Sequence, residues 1–308
     1  MTASLIIPTY NPTKRIVGTI NSAGNQSTPF DEIIIVENGS STEWLMDGCN
    51  DIAFYNHSSV AGANSARNLG AEIASGDLLV FTDDDCELDR DFLTQHLLAH
   101  NRYPNSVIGG QVVLRFEEEC PDWLRQPFLK SLAEVDWHKQ LGSHTAHADI
   151  LVDGLLYLVT ANMSVRKSTF VKAGMFDETA GYIGDRRTAN DEHGFLDRAR
   201  QVGHTYYSSL PVVHHNVPRS RTSIEYFKDR FWGQGYADAM LLEKQLGNKD
   251  HAIHACLDDI YRKGSVSHQL DNEKFDPETD KDIAMEFSRN LYICMAHYNR
   301  GVLDYFGQ

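Results

Sequence analysis

The sequence predicts an α/β fold in which helices flank a mostly parallel, doubly wound central sheet. Three observations lead to this prediction. Short apolar runs alternate with helix-like segments through the first hundred residues, several of these runs are rich in β-branched residues, and four of them end in polar loops. Such alternation is typical of parallel strands that are joined by helices.

The order of the elements follows from the spacing of the apolar residues. Strands are predicted at Leu5–Pro8, Glu32–Glu37, Ile52–Asn56 and Leu78–Thr82, and helices at about Lys14–Ala23, Asn64–Ala74 and Asp91–Tyr103. Further on, the pattern predicts a pair of strands over Ser106–Phe116, a long loop or short helices over Glu117–Ala148, a strand over Leu155–Val165, and helices over Lys167–Ala173 and Asp191–Val202. The chain from about Ser223 is predicted to be largely helical, with a charged break over Asn272–Lys281.

Composition and charge narrow the class of protein. The 308 residues are 42% hydrophobic, which is enough for a sizeable core. The formal net charge of −15 argues against nucleic-acid binding, because phosphate-rich partners need clustered Lys and Arg. The five cysteines form no CxxC pair, which favours reduced thiols over a zinc site or a disulfide framework. The sequence shows neither a signal peptide nor an apolar run of transmembrane length, so we expect a cytoplasmic enzyme.

Polar segments follow the four predicted strands, and we expect them to meet at one edge of the sheet, where ligands bind in such folds. They are Thr9-Tyr10-Asn11, Glu37-Asn38, Ser58–Asn64 and Asp83-Asp84-Asp85. The three adjacent aspartates repel one another, so a fold tolerates them most easily beside a cation. Mg²⁺ and Mn²⁺ prefer oxygen ligands and bridge phosphates to carboxylates, although a solvated acidic turn or a helix cap gives the same pattern.

Two further segments carry candidate functional groups at the start of predicted helices. Small residues between Gly62 and Gly70 allow close approach of a phosphate, and Arg67 offers a charged donor; simple helix packing is the alternative. Asp191, in the run Asn190-Asp191-Glu192, is a candidate general base for an acceptor hydroxyl, or else a helix cap. Only one of the two neighbouring acids is expected to face the site.

A pair of histidines with two arginines close behind forms the last candidate cluster. His214 or His215 could complete an octahedral metal shell or, when protonated, bind a phosphate, although a single histidine at such a position is more often structural. Arg219 and Arg221 follow within a few residues, and the combination suggests a grip on the diphosphate of a donor.

Taken together, these segments resemble the family 2 glycosyltransferases, a large group with the GT-A nucleotide-sugar fold. The matching segments are Ser4–Asn11, Ile34–Ser40, Ala66–Gly70, Gly76–Asp85, Thr160–Arg166, Gly174–Glu178, Asn190–Glu192 and His215–Pro218. They follow one another in unbroken order from Ser4 to Arg221, and this order makes the resemblance specific.

The resemblance implies a role for each matching residue. Donor-binding residues would include Pro8, Thr9, Tyr10, Glu37, Asn38, Arg67, Asp83 and Asp84, with Glu37 reading the nucleobase and Asp83 near the ribose. Asp85 and His215 would hold Mn²⁺ or Mg²⁺, Asp191 would be the general base, and Asn162 and Glu192 would contact the acceptor. Members of the family commonly have Asp where Glu37 stands, and an acidic residue where Asn190 stands.

The predicted division is a GT-A domain over residues 1–221, with a donor half at about 1–115 and an acceptor half at about 116–221, followed by a helical C-terminal extension over 222–308. Trp232 and its neighbours at helical spacing predict core packing or self-association into a homo-oligomer. The alternatives are closure of Trp232 over the acceptor and peripheral contact with the inner face of the membrane.

The implied function is transfer of a sugar from a nucleoside-diphosphate sugar, with UDP favoured, to a hydroxyl of a saccharide or lipid-linked saccharide, as in polysaccharide biosynthesis. Inversion of the anomeric centre by one metal-assisted displacement follows from the resemblance. Two alternatives stay open. One is a degenerate GT-A domain that binds a nucleotide sugar without turnover, and the other is a metal-dependent nucleotidyltransferase, which usually has a glycine-rich basic loop where this chain has Pro8–Pro12.

Overall fold

The computed structural model describes residues 1–10, 14–38, 52–56, 62–140, 149–152, 156–183, 186–187, 192–263 and 281–307. Its strands are β1 (Ala3–Thr9), β2 (Glu32–Glu37), β3 (Ile52–Asn56), β4 (Leu78–Phe81), β5 (Cys86–Leu88), β6 (Val107–Phe116), β7 (Ile150–Leu151), β8 (Met163–Arg166), β9 (Tyr182–Ile183), β10 (Arg186–Arg187) and β11 (Thr205–Val217). Its α-helices are α1 (Arg15–Gly24), α2 (Ala63–Ile73), α3 (Phe92–Arg102), α4 (Phe128–Ser131), α5 (Trp137–Gln140), α6 (Lys167–Lys172), α7 (His193–Val202), α8 (Ile224–Leu246), α9 (Lys249–Lys263) and α10 (Lys281–Phe306). Short 3₁₀ turns occupy Thr160–Asn162 and Arg219–Thr222.

The main sheet has the strand order β3-β2-β1-β4-β8-β6-β11-β5, with β7 paired to β11. Strands β3, β2, β1 and β4 run parallel to their neighbours, whereas β8 is antiparallel to both β4 and β6. Every residue of β1 and of β4 is buried, as expected for parallel strands that are covered on both faces. Because the four parallel strands point the same way, the segments that follow them lie at one edge of the sheet.

The strands and helices predicted in the first hundred residues are confirmed, and their ends agree to within two residues. The predicted mostly parallel sheet is likewise confirmed for the half that contains β1. The segment Glu117–Ala148 was predicted as a long loop or short helices, and its described part contains the two short helices α4 and α5. Among the described residues, none of the helices combines the length and the apolar composition needed to cross a membrane.

Two strand predictions were wrong. Ser106–Phe116 is one continuous strand, β6, and not a pair. Its central glycines admit neighbouring side chains, since a Cβ on Gly109 would lie 2.4 Å from Leu158 Cδ2. The predicted strand Leu155–Val165 is a strand only from Met163, which pairs with Phe81 of β4. Before it, Tyr157, Leu158 and Ala161 are buried in the core but belong to none of the strands of the described residues.

The described chain divides into two compact units. The first unit comprises residues 1–115, 133–179 and 191–216, and the second comprises 116–132, 180–190 and 217–308. The first unit holds most of the main sheet, and the second holds α4, α8, α9 and α10. The predicted division into residues 1–221 and 222–308 stays a prediction.

Helices α8 and α10 of the second unit approach each other closely at two glycines. A Cβ on Gly235 would lie 2.0 Å from the carbonyl oxygen of Tyr298, and one on Gly301 would lie 2.0 Å from that of Trp232. The indole Nε1 of Trp232 donates to Asp304 Oδ2 at 2.9 Å across the same contact. Because a Cβ cannot occupy such a position, each glycine sets the distance between the helix backbones.

A chain of buried hydrogen bonds joins α3 to the middle of the sheet in the first unit. His100 Nε2 lies 2.9 Å from Ser164 Oγ, Ser164 Oγ lies 2.8 Å from His96 Nδ1, and His96 Nε2 lies 3.0 Å from Asn162 Oδ1. All four residues are completely buried. Both histidines are therefore neutral in the folded state, since a buried imidazolium without a counter-charge is strongly disfavoured.

Replacing Gly235 by alanine is expected to lower the unfolding free energy by about 1–3 kcal/mol, because the new methyl group forces α8 and α10 apart. Gly24→Ala is the matched control, since Gly24 also lies in a helix but a Cβ there meets no atom within 4 Å. It should be neutral or slightly stabilising. Thermal unfolding of both variants checks the prediction, and equal midpoints would contradict it.

Acidification is expected to destabilise the fold through the two buried histidines. Burial lowers the pKa of His96 to about 3 and, together with the Arg166 charge, that of His100 to about 4, whereas an unfolded histidine has a pKa of about 6.5. Their contribution to stability is complete above about pH 6.5. As the pH falls from there toward the folded-state pKa, each histidine lowers the unfolding free energy by up to about 1.4 kcal/mol per pH unit.

The measurement is the unfolding free energy from about pH 7 down to about pH 4.5 in the unmodified protein and in His96→Gln. The glutamine amide keeps a hydrogen-bond donor but does not titrate, so the variant should show a shallower acid slope. An identical slope in the two proteins would show that His96 does not carry the effect.

Candidate active site

The edge at which β1 and β2 end brings together several of the predicted donor-binding residues. Thr9 and Glu37 are paired in the parallel ladder, and the backbone amide of Asn38 donates to the carbonyl of Thr9 at 3.0 Å. The Asn38 side-chain amide donates to the carbonyl of Gly62 at 2.5 Å. Its Oδ1 is buried and has no hydrogen-bond partner among the described residues, so an acceptor oxygen remains for a ligand.

Asp83, the first of the three aspartates, is held by an arginine from α2. Arg67 Nη2 lies 2.8 Å from Asp83 Oδ1, and Arg67 Nη1 donates to Asn64 Oδ1 at 3.2 Å. The Arg67 side chain is 5% exposed and that of Asp83 is 32% exposed, so the carboxylate reaches solvent while its counter-charge does not. The strength of such a pair rises as water is excluded from it.

Asp84 is fixed by two threonine hydroxyls. Thr9 Oγ1 donates to Asp84 Oδ2 at 2.5 Å, and Thr19 Oγ1 donates to the Asp84 carbonyl at 3.0 Å. Thr9 was predicted from the sequence, whereas Thr19 was missed. A signal was present, because Thr19 lies between Ile16 and Ala23 on the buried face of α1, where a hydroxyl requires a polar partner.

Asp85, the third aspartate, faces a histidine from the far end of the sheet. His215 Nε2 lies 3.2 Å from Asp85 Oδ1, and their side chains are 7% and 10% exposed. The backbone amide of Asn216 donates to the Asp85 carbonyl at 2.9 Å. Strand β11 makes this possible, since it pairs with β5 so that His215 lies opposite Cys86.

Neighbouring side chains of a strand point to opposite faces, and this separates the two histidines. His214 Nε2 lies 2.9 Å from Asp89 Oδ1 in a partly exposed pair. His215 therefore contacts the aspartate segment and His214 does not. Neither β5 nor β11 was predicted from the sequence.

Asp85 and His215 together have the chemistry required of ligands for Mn²⁺, and the Asp85 carboxylate also suits Mg²⁺. A carboxylate oxygen and an imidazole nitrogen face each other, and both are ligands that Mn²⁺ accepts. Within the described ranges, no three histidine, cysteine, aspartate or glutamate side chains form a metal-binding group. The remaining ligands would come from water and from donor phosphates, as is usual for these cations. Burial and the adjacent Asp85 and Asp83 charges raise the pKa of the Cys86 thiol well above its usual value.

Helix α2 also fastens the segment that follows α6. Asn64 Nδ2 donates to the carbonyl of Asp177 at 2.9 Å, and Asn68 Nδ2 donates to the carbonyl of Phe176 at 3.0 Å. The backbone amide of Phe176 in turn donates to Asn68 Oδ1 at 3.1 Å. The helix that holds Asp83 through Arg67 is thus tied to the 174–178 segment, a link that the sequence analysis did not predict.

The other predicted residues of the first unit have varied surroundings. Pro8 is buried within β1, Tyr10 is 57% exposed at the end of that strand, and Glu192 adjoins the start of α7. The predicted general base, Asp191, lies outside the described residues. Asn162 is completely buried and bonded to backbone carbonyls, so its placement gives no support to a contact with the acceptor.

Three predicted residues belong to the second unit. Arg219 Nη1 lies 2.9 Å from Glu118 Oε2 in an exposed ion pair, and the Arg221 amide donates to the carbonyl of Pro218. Trp232 packs against Tyr236 with ring centroids 5.4 Å apart and bonds to α10 as described above. The surroundings of Trp232 favour the packing interpretation over closure on an acceptor.

Two solved structures share this arrangement of strands and helices. The structure of GalNAc-T7 with UDP, GalNAc and Mn²⁺ superposes with a TM-score of 0.54 at 14% identity, covering 80% of this chain and 50% of that chain. The structure of S. aureus TarS in complex with UDP superposes with a TM-score of 0.54 at 16% identity, covering 99% of this chain and 89% of that chain. The fold is therefore the GT-A fold, as predicted.

The sequence itself matches Glycosyl transferase family 2 over residues 4–173, and the chain belongs to that family. A relative from Haloferax volcanii, a glucosyl-dolichyl phosphate glucuronosyltransferase, is 23% identical over an alignment of 256 residues that covers 78% of this chain and 77% of that protein. The predicted family is thereby confirmed, and the protein is a glycosyltransferase. The nucleotidyltransferase alternative has no support.

Thr19→Val is expected to loosen the aspartate segment, because valine keeps the shape of threonine but cannot donate to the Asp84 carbonyl. The loss should be about 1 kcal/mol of unfolding free energy, with faster hydrogen exchange at residues 83–86. Thr19→Ser, which keeps the hydroxyl, is the control and should exchange at nearly the original rate. Exchange that is equally fast in both variants would show that the hydroxyl does not hold the segment.

Proposed function

We propose that this glycosyltransferase moves a sugar from a nucleoside-diphosphate sugar, with UDP favoured, to a hydroxyl of a saccharide or lipid-linked saccharide. The reaction is an inverting single displacement assisted by Mn²⁺ or Mg²⁺, with Asp191 as the general base. The contact between Asp85 and His215 is the observation that carries the proposal, because it pairs two metal ligands at the edge of the sheet where the donor-binding segments end.

The donor assignment rests on the polar groups around the ends of β1 and β2. Tyr10 is exposed beside Thr9, and Asn38 Oδ1 is a buried acceptor that a nucleobase N–H could satisfy. Both solved structures with this fold contain UDP, and one also contains Mn²⁺. These observations support a UDP-sugar as the donor, with Glu37, Asp83 and Asp84 completing the base and ribose contacts.

The arginines of the proposal have separate tasks. Arg67 is buried against Asp83, so we assign it to holding that carboxylate in place. Arg219 and Arg221 are assigned to the donor diphosphate, because guanidinium groups bind phosphate oxygens through paired hydrogen bonds. A bound divalent cation, held by Asp85 and His215, would supply positive charge to the departing diphosphate.

The displacement itself needs one proton transfer. The acceptor oxygen forms a bond to the anomeric carbon while the bond from that carbon to the diphosphate oxygen breaks, and the electron pair leaves with the nucleoside diphosphate. Asp191 takes the proton from the acceptor hydroxyl, and Glu192 is assigned to the acceptor beside it. The Haloferax volcanii relative is named for a lipid-linked substrate, which supports a lipid-linked saccharide as acceptor.

The test is thermal unfolding with UDP-, GDP- and dTDP-sugars, each in Mn²⁺ and in EDTA. A ligand that binds only the folded state raises the midpoint by mass action, and one present at a hundred times its dissociation constant adds about 2.7 kcal/mol. We expect a metal-dependent shift with a UDP-sugar that is lost in Asp85→Asn. Asp197→Asn removes an exposed carboxylate of α7 and should keep the full shift.

Turnover is measured in the same samples as release of UDP in the presence of metal. Binding without any release of UDP in the presence of saccharide acceptors would favour the degenerate domain over the enzyme. A shift that survives in Asp85→Asn would remove Asp85 from the metal site.

A further inference from the structure

The side chain of Asn162 joins two strands of the main sheet. Its Nδ2 donates to the carbonyl of Gln111 in β6 at 2.8 Å and to the carbonyl of Pro211 in β11 at 3.0 Å. The two strands are neighbours in the sheet. A single amide group, completely buried, therefore binds the backbones of both strands at one level. We call these two hydrogen bonds from Asn162 the clamp.

The glycine at that level of β6 makes room for the amide. A Cβ on Gly110 would lie 2.3 Å from Asn162 Nδ2 and 2.4 Å from the carbonyl oxygen of Pro211. Both are shorter than any real contact with a Cβ atom. The amide and the β11 carbonyl thus pack directly against the backbone of β6.

The orientation of the amide follows from the hydrogen-bond chain behind it. Both hydrogens of Asn162 Nδ2 point to carbonyls, which can only accept, so Oδ1 must accept from His96 Nε2. A neutral His96 then accepts at Nδ1 from the Ser164 hydroxyl, and Ser164 accepts from His100 Nε2. The direction of every bond is fixed, and a flipped amide would break three of them.

Pro211, whose carbonyl accepts from Asn162, lies four residues before His215 on β11. Four residues of strand span about 13 Å, and at the end of that span His215 contacts Asp85 while the Asn216 amide donates to the Asp85 carbonyl at 2.9 Å. Proline at 211 has no amide hydrogen to donate to a neighbouring strand. Side-chain hydrogen bonds to its carbonyl accordingly matter more here than elsewhere along the strand.

We propose that Asn162, oriented by His96, is a positioning residue that holds β11 so that His215 and Asn216 meet Asp85. From the sequence, Asn162 was assigned to the acceptor; its proposed role is instead in the metal site. This inference rests on the proposed function only for the identity of the metal ligands. The strand position itself can be measured without any metal.

Four variants distinguish the effect of losing the clamp from the effect of a general loss of stability. Asn162→Ala removes the clamp, and His96→Leu removes the donor that orients it. His96→Gln keeps a donor near the same position. Val165→Ala truncates a completely buried residue of the same strand, β8, without removing any side-chain hydrogen bond.

The first measurement is hydrogen exchange of residues 212–217 in the absence of metal, with each variant held equally far below its own unfolding midpoint. We expect at least tenfold faster exchange in Asn162→Ala and His96→Leu, and no such change in His96→Gln or Val165→Ala. The second is Mn²⁺ binding in the presence of UDP, followed by electron paramagnetic resonance. Loss of groups behind a metal ligand typically weakens binding 10–100-fold, and about tenfold is expected here.

The outcomes are distinguishable. If the unmodified protein binds no Mn²⁺ with UDP, the proposed metal site is wrong, and the exchange experiment still decides the role of Asn162. If Val165→Ala speeds exchange at 212–217 as much as Asn162→Ala does, or if neither clamp variant speeds it, Asn162 does not position the strand. Should Asn162→Ala fail to fold, the comparison of His96→Leu with His96→Gln decides whether the oriented amide holds β11.

Discussion

Three carboxylates in consecutive positions are the constraint on which the rest of the first unit depends. Charges this close repel strongly unless each has its own partner. The partners come from different elements: Arg67 from α2 for Asp83, Thr9 and Thr19 from β1 and α1 for Asp84, and His215 from β11 for Asp85. Elements far apart in the chain must therefore converge on one turn, and the sheet order is the arrangement that lets them do so.

Much of the fold could be predicted because its first half is locally encoded. Strands β1 and β4 are wholly buried, so their apolar runs are unmistakable, and parallel pairing places Thr9, Glu37 and Asp83 at one edge whatever the details of the loops. The residues that hold these groups could not be predicted in the same way. Thr19 is separated from Asp84 by 65 positions, so its place on the buried face of α1 indicates that its hydroxyl needs a polar partner but not which partner it meets.

Strands β5 and β11, in the second half of the sheet, could not be predicted from the sequence for a physical reason. Strand β5 has only three residues, and β11 alternates buried positions with partly exposed ones, so neither forms a continuous apolar run. Asn162 was assigned to the acceptor because its segment matches the family, yet its position is decided by carbonyls of β6 and β11, which only the three-dimensional pairing reveals. The local sequence pattern thus identified the residues of the site but not the residues that hold them in place.

The alternation of His214 and His215 has a consequence for how this enzyme can change in evolution. Insertion of a single residue between Pro211 and His214 would bring His214 to the position that faces Asp85 and send His215 to the opposite face, where Asp89 lies. Deletion of one residue there would bring Asn216 to that position instead. This stretch of β11 can vary in side chains but not in length, so homologues that keep the site should align through it without gaps.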